Sequence, residues 1–118
     1  MMIKFYQLPN CSICRKAAKY LETHGVSFEP IHIVEHTPTA AEFRAIVEQT
    51  NVDIDALFNK QGAKFKALNL KETLSEKSDD EKFELLASDG MLVKRPLAVN
   101  GNKITLGFKE KEYSDTWL

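Results

Sequence analysis

The chain holds only two cysteines, three histidines and one tryptophan, and its charges nearly cancel. Each scarcity excludes something. Two cysteines, no second C-x-x-C, and only His24, His32 and His36 as further ligands of the usual type do not supply the four-ligand pattern of a zinc finger. A net charge of −1 without a basic block makes nucleic acid a poor direct partner. No apolar run is long enough to span a bilayer, and the N-terminus lacks a signal-peptide pattern. There is no linker, no low-complexity stretch and no internal repeat. What remains, at 118 residues with 43% hydrophobic and 28% charged, is one soluble globular domain with room for a real core. Two cysteines without an export signal fit a reducing cytoplasm, where such a pair tends to be catalytic or sensing.

Both cysteines fall in one stretch, Asn10-Cys11-Ser12-Ile13-Cys14-Arg15-Lys16. A strand-like run, Ile3-Lys4-Phe5-Tyr6, precedes it, and a helical pattern through Ala17, Ala18 and Leu21 follows it. Cys11 therefore stands where a helix begins, beside unpaired N–H groups and the positive end of the helix dipole. Both favour thiolate over thiol, and Arg15 and Lys16 add positive charge, so the spacing predicts a Cys11 more acidic than free cysteine. Cys14 lies one turn on, on the same face, within reach to attack a mixed disulfide on Cys11. A structural disulfide or half of a zinc site are the competing readings of the same stretch, and redox chemistry is favoured over them.

The periodicities predict a strand over residues 2–7, a helix over 12–23 closed by Gly25, and a second strand over 26–33. Pro30 inside that strand marks an edge or an irregularity. The short return favours parallel pairing through a right-handed crossover. Residues 38–88 read as several short helices. Thr39-Ala40-Ala41-Glu42 and Ser78-Asp79-Asp80-Glu81 are capping boxes, Asp53 opens a short piece, and Phe65, Leu68 and Leu70 are expected on one apolar face. Strands over 97–99 and 103–106 flank Asn100-Gly101, a hairpin-turn signal, and a last helix is expected over 109–116 with Trp117 anchoring it. Pro96, after Arg95 and at a strand start, is a candidate for a cis peptide bond.

The order β-α-β, helices, β-β-α resembles the α/β thioredoxin-like fold with a helical insertion, as in the arsenate reductase/Spx family. The likeness rests on Cys11 through Ala17, Thr37-Pro38-Thr39, Leu57-Phe58-Asn59, Met91-Leu92-Val93-Lys94-Arg95-Pro96 and the run from Val99 to Gly107, and it covers essentially the whole chain as a single domain. The runs around Asn59, from Leu86 to Leu92 and over Gly107-Phe108-Lys109-Glu110 look most like the small YusI-like branch. The resemblance implies a cis Pro96 facing Cys11, with Arg95 beside it. Arsenate reductases of the family pair one cysteine with three arginines. Cys11 and Arg95 match, but Asn59 and Phe108 stand at the other two arginine positions, with Lys60 and Lys109 only adjacent. A buried dianion needs several charge-assisted hydrogen bonds, and lysine does not reproduce the arginine fork. The Spx branch uses C-x-x-C as a switch while binding the RNA polymerase α-subunit; the present chain lacks the extra C-terminal segment of those regulators.

The resemblance and the motif together imply a thiol–disulfide oxidoreductase or thiol-dependent reductase, with an Spx-like regulator and an arsenate reductase as alternatives. Cys11, Cys14 and Arg95 are the expected catalytic residues, and Asn10, Ser12, Pro96 and Lys60 the expected substrate contacts. The expected reductant is an external thiol of glutathione, bacillithiol or thioredoxin type. No metal, cofactor or membrane is expected, and monomer is the default. His24 reads as a helix C-cap, His32 and His36 as strand-exit residues, Lys60, Lys64 and Lys66 as a solvated face, and Asp79, Asp80 and Glu81 as dipole partners of a helix start.

Overall fold

Strand β1 (Ile3–Gln7) is the centre of the fold. In the computed structural model, which describes residues 2–118, it pairs in parallel with β2 (Phe28–His32) and antiparallel with β3 (Leu97–Asn100). β3 turns back into β4 (Lys103–Leu106), giving one mixed sheet in the order β2-β1-β3-β4. The crossover from β1 to β2 is α1 (Ser12–Thr23). Between β2 and β3 come α2 (Ala40–Thr50), a 3-10 turn (Ile54–Leu57), α3 (Ala63–Ala67), α4 (Leu70–Thr73), a second 3-10 turn (Leu74–Glu76), α5 (Asp79–Ser88) and a third (Gly90–Leu92). The chain closes with α6 (Glu110–Trp117).

Strand alternation splits the apolar side chains between the two faces of the sheet. Ile3 and Phe5 of β1 and Ala98 of β3 turn to one face and pack with Ala17 and Leu21 of α1 and Tyr113 and Trp117 of α6. Tyr6, Leu97 and Val99 turn to the other and pack under the helical insert, against Phe43, Phe83 and Leu86 among others. The result is the thioredoxin-like arrangement expected, a mixed sheet between helical layers. No helix among the described residues is long and apolar enough to cross a membrane.

Local chemistry sets most element ends. Thr39 Oγ1 accepts from Glu42 N at 3.1 Å while Glu42 Oε1 accepts from Thr39 N at 2.9 Å, and Ser78 and Glu81 repeat the box on α5 at 3.2 and 3.0 Å. Each box satisfies N–H groups that a helix start leaves unpaired. Arg44 on α2 pairs with Asp80 and lies over the Phe83 ring at 4.8 Å, tying α2 to α5. Lys82 Nζ sits 2.8 Å from Asp55 Oδ1 and ties α5 to the first 3-10 turn.

Four expectations need correction. β2 is Phe28–His32, shorter than the 26–33 run, because Val26 packs instead against the smaller core cluster and Ile33 is buried in the turn that follows. The hairpin loop is Gly101-Asn102, one residue later than expected. Asn100 still pairs with Lys103, and Gly101 takes the positive φ of +60° that the first loop position of a II′-type turn requires. Leu68 is exposed, although Phe65 and Leu70 are buried, because Asn69 at φ +56° breaks the helix and resets its period. The last helix runs Glu110–Trp117, with Lys109 as its N-cap. Pro30 does lie on an edge strand, and the Arg95–Pro96 bond is cis.

Candidate redox site

The loop after β1 delivers Cys11 to the start of α1. Cys11 N donates to Leu8 O at 3.2 Å, and Arg15 Nη1 reaches Pro9 O at 3.4 Å, so the turn is held from both sides. Cys11 is the N-cap itself: its sulfur accepts the Cys14 backbone N–H at 3.3 Å, the place usually taken by a serine, threonine or aspartate oxygen. A sulfur so placed receives a donor and the positive helix end together, and both interactions strengthen as the sulfur gains charge. Asn10, Ser12 and Ile13 around it are exposed.

The two sulfurs differ in surroundings. Cys11 is half-buried and Cys14 fully buried, and both are free thiols in this structure. Burial pushes the Cys14 thiol up to about 12, and its hydrogen bond with the Cys11 sulfur adds to the rise; the Leu8 backbone and the Arg95 charge pull the other way. Cys14 therefore keeps its proton at neutral pH, and Cys11 is the sulfur that meets solvent.

Arg95 approaches from the loop before β3 and acts on the Cys14 sulfur. Its Nη1 donates to Val93 O at 3.2 Å and Met91 O at 3.5 Å, while its Nε is buried without an acceptor. Pro96, next along, is buried. Two backbone bonds hold this loop: Asn59 N donates to Leu92 O at 2.7 Å and Lys94 N to Leu57 O at 2.8 Å. The structure thus groups Cys11, Cys14 and Arg95, with Asn10 and Ser12 flanking the first sulfur and Pro96 following the arginine. Lys60 lines another feature, a cleft of about 470 Å3 in the helical insert, with Lys66 and Lys71 over Phe65, Leu70 and Leu74.

The other singled-out residues have local partners. His24 Nδ1 lies 2.8 Å from Tyr20 O at the end of α1, with its ring 4.2 Å from that of Tyr20. His32 Nδ1 accepts from Val34 N and Glu35 N, both at 3.2 Å, and holds the turn after β2. Phe108 packs edge-on against Tyr113 at 4.9 Å and beside Tyr20 at 5.6 Å. Sequence reasoning passed over Tyr113 beneath the site. The only signal was its spacing of four from Trp117, which marks an apolar helix face but says nothing of where a hydroxyl ends up.

The sequence model of the ArsC family matches residues 6–116, nearly the full length. The chain belongs to the ArsC family. Among relatives in the family's reach, it is 49% identical to the uncharacterized protein YusI of Bacillus subtilis over 99% of both chains. It is 33% identical to the regulatory protein MgsR of Bacillus subtilis over 93% of this chain and 86% of MgsR. A solution NMR structure of SACOL0876 from Staphylococcus aureus COL superposes with a TM-score of 0.93 at 64% identity, covering 98% of each chain. The ArsC-family likeness supports a thiol-dependent redox fold.

Proposed function

We propose that this chain is a cytoplasmic thiol–disulfide oxidoreductase or thiol-dependent reductase that cycles Cys11 and Cys14. The observation that carries the reading is the asymmetry of the pair: a half-buried sulfur capping a helix, and a fully buried thiol held protonated one turn behind it. Cys11 as thiolate attacks one sulfur of a substrate disulfide. That S–S bond breaks, the leaving sulfur departs as a thiolate, and a mixed disulfide remains on Cys11. Cys14 then gives up its proton and attacks the Cys11 sulfur. The substrate's second sulfur leaves, and the pair is oxidised by two electrons. An external thiol of glutathione, bacillithiol or thioredoxin type returns those electrons by exchange. Arg95 offers its charge, and its unpaired Nε, to an anionic group arriving at the pair. Asn10, Ser12 and the backbone at Pro96 are the proposed substrate contacts, and Lys60 is an outlying one.

The test is a redox titration of the pair against glutathione, with thiol labelling and intact-mass readout. A reversible Cys11–Cys14 disulfide is expected. Cys14→Ser should accumulate mixed disulfides and Cys11→Ser should form none. Failure to form the internal disulfide at any potential overturns the two-cysteine cycle.

The likeness to the regulatory protein MgsR favours a second reading, in which the same pair is a switch on a regulator; the resemblance to the Spx branch makes the RNA polymerase α-subunit the partner to test. Pull-down of the α-subunit with oxidised and reduced protein separates the two. A regulator binds differently in the two states and shows no turnover, whereas an oxidoreductase turns over with its thiol.

A further inference from the structure

The helical insert segregates charge in a way the redox pair does not use. From Lys60 to Lys71 the chain holds four lysines and no carboxylate, although acids and bases nearly balance over the whole sequence. Lys64 turns to Asp89, with its Nζ 3.6 Å from Asp89 Oδ2. Lys60, Lys66 and Lys71 instead line the cleft of about 470 Å3, and none of the three joins an ion pair among the described residues. Asp55 is the one carboxylate in the lining, and Lys82 Nζ already matches it at 2.8 Å. The rim is thus three lysines without a counter-charge. The floor beneath them is apolar. Phe65, Leu70 and Leu74 are almost fully buried and belong to the main core, so core packing holds the floor in place before anything binds. Lysine stems lie along apolar surface while their heads stay in water, which lets such a floor and such a rim coexist. A concave site of this volume, apolar with a few convergent polar groups, suits a small ligand. Neither cysteine nor Arg95 lines it.

We propose that this cleft is a binding site for a small organic anion with an apolar body, an acyl or aryl carboxylate. The body lies on Phe65, Leu70 and Leu74 and displaces water from them, while the carboxylate meets the lysine rim. Both halves are needed. Inorganic phosphate carries the charge but has nothing to lay on the floor. A neutral amphiphile covers the floor and leaves the rim without a counter-charge, and a cationic one is repelled by it. The site stands apart from the two-cysteine cycle, because its residues come from α3, α4 and the segments that flank them. The lysines are exposed, so each contact with a carboxylate changes affinity by about threefold, and two together by about tenfold.

The experiment titrates the isotopically labelled full chain and follows its amide chemical shifts. Octanoate and 2-naphthoate supply a flexible and a flat body, each with one carboxylate. At least one of them should shift amides between Lys60 and Ser75 saturably, with a Kd of about 1 mM. Octanamide and octylammonium keep the octanoate chain without its negative charge, and should bind at least about tenfold more weakly than octanoate. Lys66→Gln combined with Lys71→Gln should weaken binding of the anion about tenfold and leave the urea midpoint and the reaction of Cys11 with a disulfide unchanged. Should that variant not fold, the comparison of octanoate with octanamide on the unsubstituted protein still decides. Absence of saturable shifts in this segment with either anion overturns the proposal. So does octanamide binding as tightly as octanoate, or phosphate alone shifting the same amides as tightly. A hexaglutamate peptide that binds there while both small anions fail also overturns it, and makes the face a surface for acidic polypeptide.

Discussion

In the reduced protein Cys14 and Tyr113 both hold their protons more tightly folded than unfolded. Burial is the first cause for each, lifting the thiol from 9.0 and the phenol from 10.0 to about 12. A folded-state pKa above the unfolded one gives stability that is complete below the unfolded value and lost as pH climbs through the folded one. The urea midpoint of reduced protein is therefore expected to be level up to about pH 9 and to fall steadily toward pH 12. Tyr113→Phe should remove the phenol's share of that fall, and oxidation of the pair the thiol's share. A level profile to pH 11 in strong reductant would contradict both assignments. At this scale the sequence reveals the cysteine pair, because the spacing is itself the chemistry. It does not reveal which thiol is raised, because that is decided by burial in the fold, which the spacing of the pair does not encode.

Elements carry their own test in the contrast between Ser78 and Gly90. Ser78 caps α5 from the surface, so Ser78→Ala should lower stability by about 1 kcal/mol and leave the thiol chemistry unchanged. Gly90 opens the turn that leads into the Arg95 loop. A Cβ there would lie 2.7 Å from the Ile33 carbonyl carbon and 3.0 Å from Val34 Cα, and both are backbone. Gly90→Ala should therefore cost more, about 3 kcal/mol, and slow the reaction of Cys11 with a disulfide as the loop shifts. Urea midpoints together with rates of the Cys11 reaction separate the two outcomes; equal midpoints would sink the idea of a backbone crossing at Gly90. Helix starts were legible because a capping box is a local pattern. The break at Asn69 and the one-residue shift of the hairpin loop were not, since each depends on which residue accepts a positive φ once the flanking elements are packed.

At the scale of the whole molecule, the places where an oxyanion clamp would need arginines are occupied by structure. Phe108 belongs to the aromatic group with Tyr20 and Tyr113, and Asn59 is fastened to the loop before Arg95 through its backbone. Arsenate turnover with a thiol reductant is expected at background level. Phe108→Arg alone should not restore it, because Asn59 still leaves the other arginine position without a charge-assisted donor. Robust turnover by the unsubstituted protein would overturn this. The departures at residues 59 and 108 were visible in the sequence against the family pattern, whereas the packing of Phe108 on α6 needed the fold. That fold joins distant parts of the chain: β1 sits at the middle of the sheet, and Phe5 pairs with Ala98 near the other end. A ribosome making this protein releases both cysteines long before β3 exists to pair with β1. Until the loop before β3 emerges, Arg95 cannot act on the Cys14 sulfur. During synthesis the pair therefore lacks its arginine, and the site is assembled only once the chain has left the ribosome.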